Sequence, residues 1–297
     1  MRRNLLLLCI FLMPLSLAAQ YAPANAKWNR PVPPFRIADN LYYVGVKGVA
    51  SYLIVTPQGD ILLDAGFRET APLVEASIRK LGFRVADIRI LLNSHEHSDH
   101  AGGLAAMKAA THARLLVNPA AAPLLERGGK DDFAFANRLL FPPVTPDGFL
   151  KDGVPVRLGG VEMTPHFTPG HTKGCTTWTM TVHDRGQLRH VVFVCSLSAP
   201  GYQVVNNPKY PEILKDYQRS FATLRALPCD IFLAPHPEQF GMDAKLAKLK
   251  ANPNGPNPFV DPAGYQAYID ESEAELNRMA AAQRQKSSIH KLAPAGH

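Results

Sequence analysis

The chain has 297 residues, 46% of them hydrophobic and 19% charged, with a formal net charge of +7. That length can bury a substantial core in one large domain or two small ones, and the composition is ordinary for a soluble globular protein. Lys and Arg are scattered among acids, which argues against nucleic acid as a partner and leaves at most a modest pull on an anionic small substrate.

Arg2 and Arg3 precede an apolar run from Leu5 to Leu17 that ends in Ala18-Ala19-Gln20. This is the pattern of a secretory signal peptide over residues 1–19, cleaved near Ala18 or Ala19. The run is too short for a membrane anchor, so no membrane attachment is expected after cleavage, and the mature chain is expected to be periplasmic or secreted. Removing Arg2 and Arg3 reduces the formal charge from +7 to +5. Export implies an oxidising compartment, yet Cys175, Cys195 and Cys229 are an odd number, so at least one thiol stays free or binds something else.

Tyr21 to Phe35 reads as a Pro-rich extended arm carrying Trp28. Leu41–Val44, Ser51–Val55 and Asp60–Asp64 are short strands, the last two joined by a turn at Pro57-Gln58-Gly59-Asp60, and they suggest an antiparallel start to a sheet. Leu73, Val74, Ile78 and Leu81 have helical spacing, Ile88 to Asn93 is a buried strand, a helix opens after Gly102-Gly103, and Ala113–Val117 is a strand. Gly128 to Leu150 has no clear period and reads as a long loop packed down by Phe133, Phe135 and Phe141. Val154 to Val194 is strand-rich; Tyr210 to Leu227 is an amphipathic helix, Ile231–Leu233 a strand, Ala263 to Arg284 a closing helix, and the last dozen residues a frayed tail. No internal repeat is present.

The densest chemistry lies at the strand-to-helix turn His95-Glu96-His97-Ser98-Asp99-His100. Imidazole nitrogen and carboxylate oxygen are donors that zinc accepts, and three His with one Asp exceed what one ion takes from a single loop, so two metals are plausible. On extended backbone His95 and His97 share a face, while the turn swings Asp99 and His100 toward a neighbouring ion. His171, in Thr168-Pro169-Gly170-His171-Thr172, and His236, in Ala234-Pro235-His236-Pro237, occupy ligand-presenting turns. His166 is the next histidine with a setting near them, although a strand-face role suits it better. Asp64, at a strand end, is placed either to hydrogen-bond a ligand imidazole and fix its tautomer or simply to cap a turn.

With these motifs, and with Ile61-Leu62-Leu63-Asp64, Arg127-Gly128-Gly129, Phe141-Pro142-Pro143 and Ser196-Leu197-Ser198-Ala199-Pro200-Gly201-Tyr202, the chain resembles the metallo-β-lactamase superfamily from about Trp28 to the final helix, and more narrowly its third zinc subclass. The resemblance implies one catalytic domain over residues 20–297, an αββα sandwich of two mixed sheets between outer helices. It implies two Zn2+, one on His95, His97 and His171 and the other on Asp99, His100 and His236. It also implies Ser196 and Ser198 on the substrate carboxylate, Trp28 and the Phe133 to Phe141 loop at the cleft mouth, and a small-molecule β-lactam as substrate, with a monomer favoured. Cys195 departs from the Asp that relatives usually carry before the first serine, which leaves it either an inert buried thiol or a thiolate near the second zinc. Cys229 matches a position that is disulfide-bonded in some relatives, but Tyr265 stands where its partner is expected.

A hydroxide bridging two zincs would attack the β-lactam carbonyl without a covalent acyl-enzyme, with Asp99 anchoring the second metal and orienting the nucleophile. Ser77-Ile78-Arg79-Lys80 does spell Ser-x-x-Lys, but no Ser-Asp-Asn or Lys-Thr-Gly accompanies it, so a serine nucleophile is not expected. The alternatives are a zinc hydrolase of lactones or thioesters on the same fold and a non-catalytic periplasmic zinc-binding protein. Lys173, in the third ligand loop, is placed either to bias substrate charge or simply to be solvated.

Overall fold

The computed structural model describes residues 21–292, so the segment read as a signal peptide lies outside the described residues. Strands β1 (Phe35–Ala38), β2 (Leu41–Tyr43), β3 (Tyr52–Ile54) and β4 (Asp60–Leu63) pair antiparallel in succession, as their turn-punctuated sequence predicts. Helix α1 (Ala71–Lys80) then carries the chain to β5 (Ile88–Leu92), which runs parallel to β4. Helices α2 (Ser98–Ala101) and α3 (Leu104–Thr111) lead to β6 (Arg114–Val117), and α4 (Ala122–Glu126) with the long loop leads to β7 (Gly148–Phe149), completing a seven-stranded sheet in sequence order.

The second half begins with β8 (Val156–Leu158), β9 (Val161–Phe167), β10 (Thr176–Asp184) and β11 (Gln187–Phe193), an antiparallel meander. After α5 (Ile213–Ala226), β12 (Ile231–Leu233) adds in parallel beside β11 and gives a five-stranded sheet; α6 (Met242–Ala251) and α7 (Pro262–Leu292) close the chain.

Strand periodicity builds the layers, because alternate side chains point to opposite faces. Tyr52, Ile54, Ile61 and Leu63 pack with Trp178, Met180 and Phe193 between the sheets, while Leu53 and Leu62 turn outward to Val74 and Ile78 of α1 and Leu104 and Met107 of α3. On the far side Tyr217, Phe221 and Leu224 of α5 and Tyr265 and Ile269 of α7 cover the second sheet. The fold is the four-layer αββα sandwich expected from the sequence.

Three local expectations are revised. The short helices α4 and α6 lack the apolar periodicity that would reveal them: α4 is five residues long, and α6 buries only Met242 and Lys245. The final helix runs to Leu292, past the expected end at Arg284 and into the segment expected to be a tail, through an Ala-, Gln-, Lys- and Arg-rich stretch of good helix formers. Cys195 is neither free nor a ligand, because its sulfur is bonded to Cys175, 20 residues away in sequence. Among the described residues Cys229 is the unpaired cysteine, and burial pushes its thiol up to about 12, which keeps it protonated.

Topology delivers the candidate site. Strands β9 and β11 both run antiparallel to β10, and β12 runs parallel to β11, so all three end on one edge of their sheet; β4 and β5 likewise share a direction. Asp64, the His95 to His100 turn, His171, Ser196 and His236 each follow the C-terminal end of one of these strands. The two edges are joined by the Thr176 N–H donating to the Ser94 carbonyl at 2.8 Å, the Trp178 indole N–H to the Asn93 carbonyl at 3.1 Å, and the Tyr52 hydroxyl to the Ala234 carbonyl at 2.7 Å.

The Cys175–Cys195 bridge closes a loop that holds all of β10 and β11, and constraint of the unfolded chain predicts that the double variant C175A/C195A loses about 2–4 kcal/mol. Denaturant unfolding monitored by Trp fluorescence measures this, and an unchanged midpoint would show that the cross-link contributes nothing to folding.

Candidate metal centre

Strand β5 ends at Leu92, the chain bends at Ser94 and again at Glu96, and His97, with φ −84° and ψ 158°, lies just before the first turn of α2. His95 and His97 therefore project from the bent segment between strand and helix, whereas Asp99 and His100 project from helix. The carboxylate of Glu96, buried between them, does not join the donors. It accepts hydrogen bonds from the Thr172 hydroxyl at 2.7 Å and the Gly174 N–H at 3.0 Å, tying this turn to the His171 loop.

Two donor sets result. Ligand atoms of His95, His97 and His171 all lie within 4.8 Å of one another, with His97 Nδ1 and His171 Nε2 3.1 Å apart. In the second set Asp99 Oδ2 is 3.2 Å from His100 Nε2 and 3.5 Å from His236 Nε2, and those two nitrogens are 3.4 Å apart. Donors about 2.0–2.1 Å from a tetrahedral ion stand roughly 3.3 Å from each other, the spacing shown by all three pairs of the second set and by the His97–His171 pair of the first.

The outward nitrogens decide what the inward ones can do. His171 Nδ1–H donates to the Ser198 carbonyl at 2.7 Å, and His236 Nδ1–H to the Gly48 carbonyl at 2.8 Å. Each Nε2 is thereby left with a lone pair aimed inward, and a lone pair facing a second ring nitrogen needs a cation or a proton between them. His95 Nε2 is buried with no hydrogen-bond partner in the protein. These orphaned and converging nitrogens, with one carboxylate, fit zinc in both sets.

Asp64 faces His100 rather than serving only as a turn cap, although His100 Nδ1 makes no hydrogen bond in the metal-free protein. Its Oδ2 lies 3.4 Å from His100 Nδ1, while its carboxylate accepts from the Ser94 N–H, the Ser94 hydroxyl and the Asn93 amide at 2.7, 2.6 and 3.1 Å. Gly48 holds His236 for a steric reason: a Cβ there would come within 2.7 Å of the Trp28 backbone, so only glycine lets the N-terminal arm lie on this turn. The Trp28 ring rests 5.0 Å from that of His236.

Charge is divided between the sets. Burial, reinforced by the neighbouring imidazoles, holds His95 and His171 well below the usual histidine range, so both are neutral ligands at pH 7. At His100 burial also opposes the charge, but Asp99 and Asp64 overcome it and raise the ring to about 10 in the metal-free protein. Burial likewise opposes ionisation of Asp99, yet His100 and His236 hold it well below the carboxylate range. Asp99 and His236 keep 15% and 12% of their side chains exposed while His100 keeps none, so the second set faces solvent.

Around the centre, the Ser196 and Ser198 hydroxyls are 3.1 Å apart at the end of β11, and Tyr202 donates to the His171 carbonyl at 3.0 Å with its ring stacked on that imidazole. Phe135 packs 5.2 Å from His97, opposite the Trp28 end. Phe141, expected at the mouth, is instead buried in the core between the first sheet and its helices. His166 hydrogen-bonds Thr179 on the second sheet, Ser77 lies on the buried face of α1, and Lys173 donates to the Lys209 carbonyl. Glu96 and Tyr202 were missed by sequence reasoning; Glu96 stood within the hexad with no other signal, and Tyr202 within the serine segment.

A family model described as the metallo-beta-lactamase superfamily matches residues 44–236. Among solved structures, a Cronobacter sakazakii metallo-beta-lactamase is 45% identical, with TM-score 0.83 over 86% of this chain and 97% of that one. The FEZ-1 metallo-beta-lactamase of Legionella gormanii is 44% identical, with TM-score 0.83 over 86% and 98%. BJP-1, a subclass B3 metallo-beta-lactamase of Bradyrhizobium japonicum, is 40% identical, with TM-score 0.83 over 88% and 98%. Curated relatives are more distant: two hydroxyacylglutathione hydrolases of Rhodopseudomonas palustris are 30% and 28% identical over 122 and 201 residues, and the chain spans only 39% and 61% of their lengths.

Coordination requires a deprotonated ring, so metal entering the Asp99, His100 and His236 set must displace the proton that His100 carries below about pH 10. Affinity at that set is expected to rise about tenfold per pH unit from pH 7 toward 10 with release of about one proton, while His95 and His171 contribute no such dependence. Calorimetry in buffers of different ionisation enthalpy measures the proton count; none released at the second set would refute the assignment. Asp64→Ala should weaken metal at this set by about 10- to 100-fold in a chelator competition.

Proposed function

Because the chain belongs to the metallo-beta-lactamase superfamily, we propose that it is a two-zinc β-lactamase that hydrolyses the cyclic amide of β-lactam antibiotics and thereby confers resistance to them. The observation that carries this reading is the meeting of two three-donor sets where the edges of the two sheets come together, beside a pair of serine hydroxyls. Likeness to three metallo-beta-lactamases at 40–45% identity over nearly their whole length, one of them of subclass B3, supports it.

Zinc bound in these sets supplies an activated water at neutral pH and a Lewis acid for the lactam carbonyl. The chain's own residues set where that chemistry happens. His95, His97 and His171 would hold one ion, and Asp99, His100 and His236 the other. The ionised Asp99 carboxylate, at the solvent-facing side, is placed to accept a hydrogen bond from the attacking water and so orient it. Ser196 and Ser198 would donate to the substrate carboxylate; Ser198 borders a cleft of about 370 Å³ against α7, which leaves room for a substituent beyond it. No serine nucleophile is needed, and Ser77 on α1 stands apart from the donors. Phe135 and Trp28 would flank the substrate from opposite ends.

The reading extends to location: residues 1–19 are a signal peptide and the mature protein works in the periplasm or medium, most simply as a monomer. The Cys175–Cys195 bridge supports an oxidising compartment. A lactone- or thioester-hydrolysing enzyme is the second reading, favoured by the likeness to hydroxyacylglutathione hydrolases over part of the chain.

Purified mature protein is expected to hydrolyse a carbapenem and a chromogenic cephalosporin, to lose turnover to a chelator, to regain it with zinc, and to ignore inhibitors that acylate serine. Absence of turnover with both zincs bound would reject the proposal in favour of lactones or thioesters. Hydrogen bonds to a charged group contribute about 1.5–3 kcal/mol, so Ser196→Ala combined with Ser198→Ala should raise KM by about 10- to 100-fold and change kcat far less.

A further inference from the structure

One carboxylate at the centre has no part in the reading above. Asp132 sits in the long loop, buried with 4% exposure. Its Oδ1 accepts the N–H groups of Ala134 and Phe135 at 2.8 and 2.6 Å, and paired backbone hydrogen bonds between Asp132 and Ala136 close the turn. Ala136 adopts a φ of 52°, a left-handed conformation that an alanine holds only when its surroundings enforce it. The turn is thus held in one shape by the same side chain.

The other oxygen, Oδ2, makes no hydrogen bond. It lies 3.7 Å from His97 Nε2, which is also buried without a partner. An ionic oxygen left without a donor is costly to bury, so its position calls for one. His97 Nδ1, at the other end of the ring, faces His171 Nε2 at 3.1 Å and is the atom available to the first donor set. A neutral imidazole coordinating through Nδ1 carries its proton on Nε2, where it points at Asp132. The tautomer that binds metal is therefore the tautomer that satisfies Asp132.

We propose that Asp132 is a positioning residue for His97, and that through it the turn carrying Phe135 is coupled to metal in the first set. The same five-residue turn lays Phe135 5.2 Å from the His97 ring and 5.6 Å from Tyr202, so it places an aromatic wall in front of the ligand and a carboxylate behind it. Metal that fixes the His97 tautomer orders this wall, and by linkage an ordered wall tightens metal. The inference rests on the zinc reading of the centre but not on the identity of the substrate.

Asp132→Asn tests it, because the amide retains an oxygen for the Ala134 and Phe135 N–H groups and removes the charge facing His97. Competition of the metal-depleted protein against a chromophoric chelator should show affinity of the His95, His97 and His171 set reduced by about 10- to 100-fold, with the second set unchanged. The optical spectrum of the cobalt-substituted protein should shift, and Asp131→Asn, one residue earlier, should match wild type in both. In wild type, amide exchange at Ala134 and Phe135 should accelerate when zinc is removed. Should the Asn variant fail to fold, nitrogen-15 spectra of zinc-loaded wild type still decide: a proton on His97 Nε2 supports the proposal, and a proton on Nδ1 overturns it. Wild-type affinity at both sets in Asp132→Asn overturns it too, leaving Asp132 as a turn cap only. Wild type that takes up no zinc overturns both this inference and the zinc reading, whereas zinc uptake without β-lactam turnover overturns only the substrate assignment.

Discussion

A histidine can be aimed at a metal only if its second nitrogen has somewhere to put a proton. In this molecule that constraint governs the surroundings of the centre more than the ligands do. His171 leans on the Ser198 carbonyl, His236 on the Gly48 carbonyl and His100 toward Asp64. Each acceptor belongs to a different part of the chain, so several otherwise unrelated features serve one end: the glycine beneath Trp28, Asp64, at a φ of 62° with its three donors, and the segment after β11. Remove the outer acceptor and the imidazole is free to rotate, with its lone pair no longer directed.

The sandwich is suited to this because strand ends supply both kinds of group. Parallel neighbours finish at one edge, where the ladder stops and backbone carbonyls become available to side chains. The edge that gathers the ligands also gathers their acceptors, and the hydrogen bonds between Thr176 and Ser94 and between Trp178 and Asn93 keep the two sheets in register there. Glu96 adds a cross-tie between ligand loops, a use for a buried acid that spares both oxygens from the metal.

What could be read from the sequence follows from how local each signal is. The hexad declares itself because its donors lie within six residues, and the turn that separates them into two sets is written in the change from an apolar run to a glycine pair. His171 and His236 were legible from Pro and Gly beside them. Most strands were visible through alternation, and α5 through its apolar stripe. Helices α4 and α6 were not, since short or mostly exposed helices carry little periodicity. The pairing of Cys175 with Cys195 needed the third dimension: the cysteine count required one thiol to stand alone, and nothing local said which. Asp132 is the clearest case of a residue without a sequence signal, being an acid in an aperiodic loop whose partner is 35 positions away.

The disulfide has a further consequence for the electrostatic landscape of the cleft. Position 195 immediately precedes Ser196, and a cystine sulfur there brings no charge, whereas an acid at the same buried point would place a fixed anion behind the serine hydroxyls. On the proposed reading, a substrate carboxylate arriving at Ser196 and Ser198 would meet hydroxyl dipoles with no anion at position 195 directly behind them, and the nearest acids on that side are Glu271 and Glu275 of α7 across the cleft.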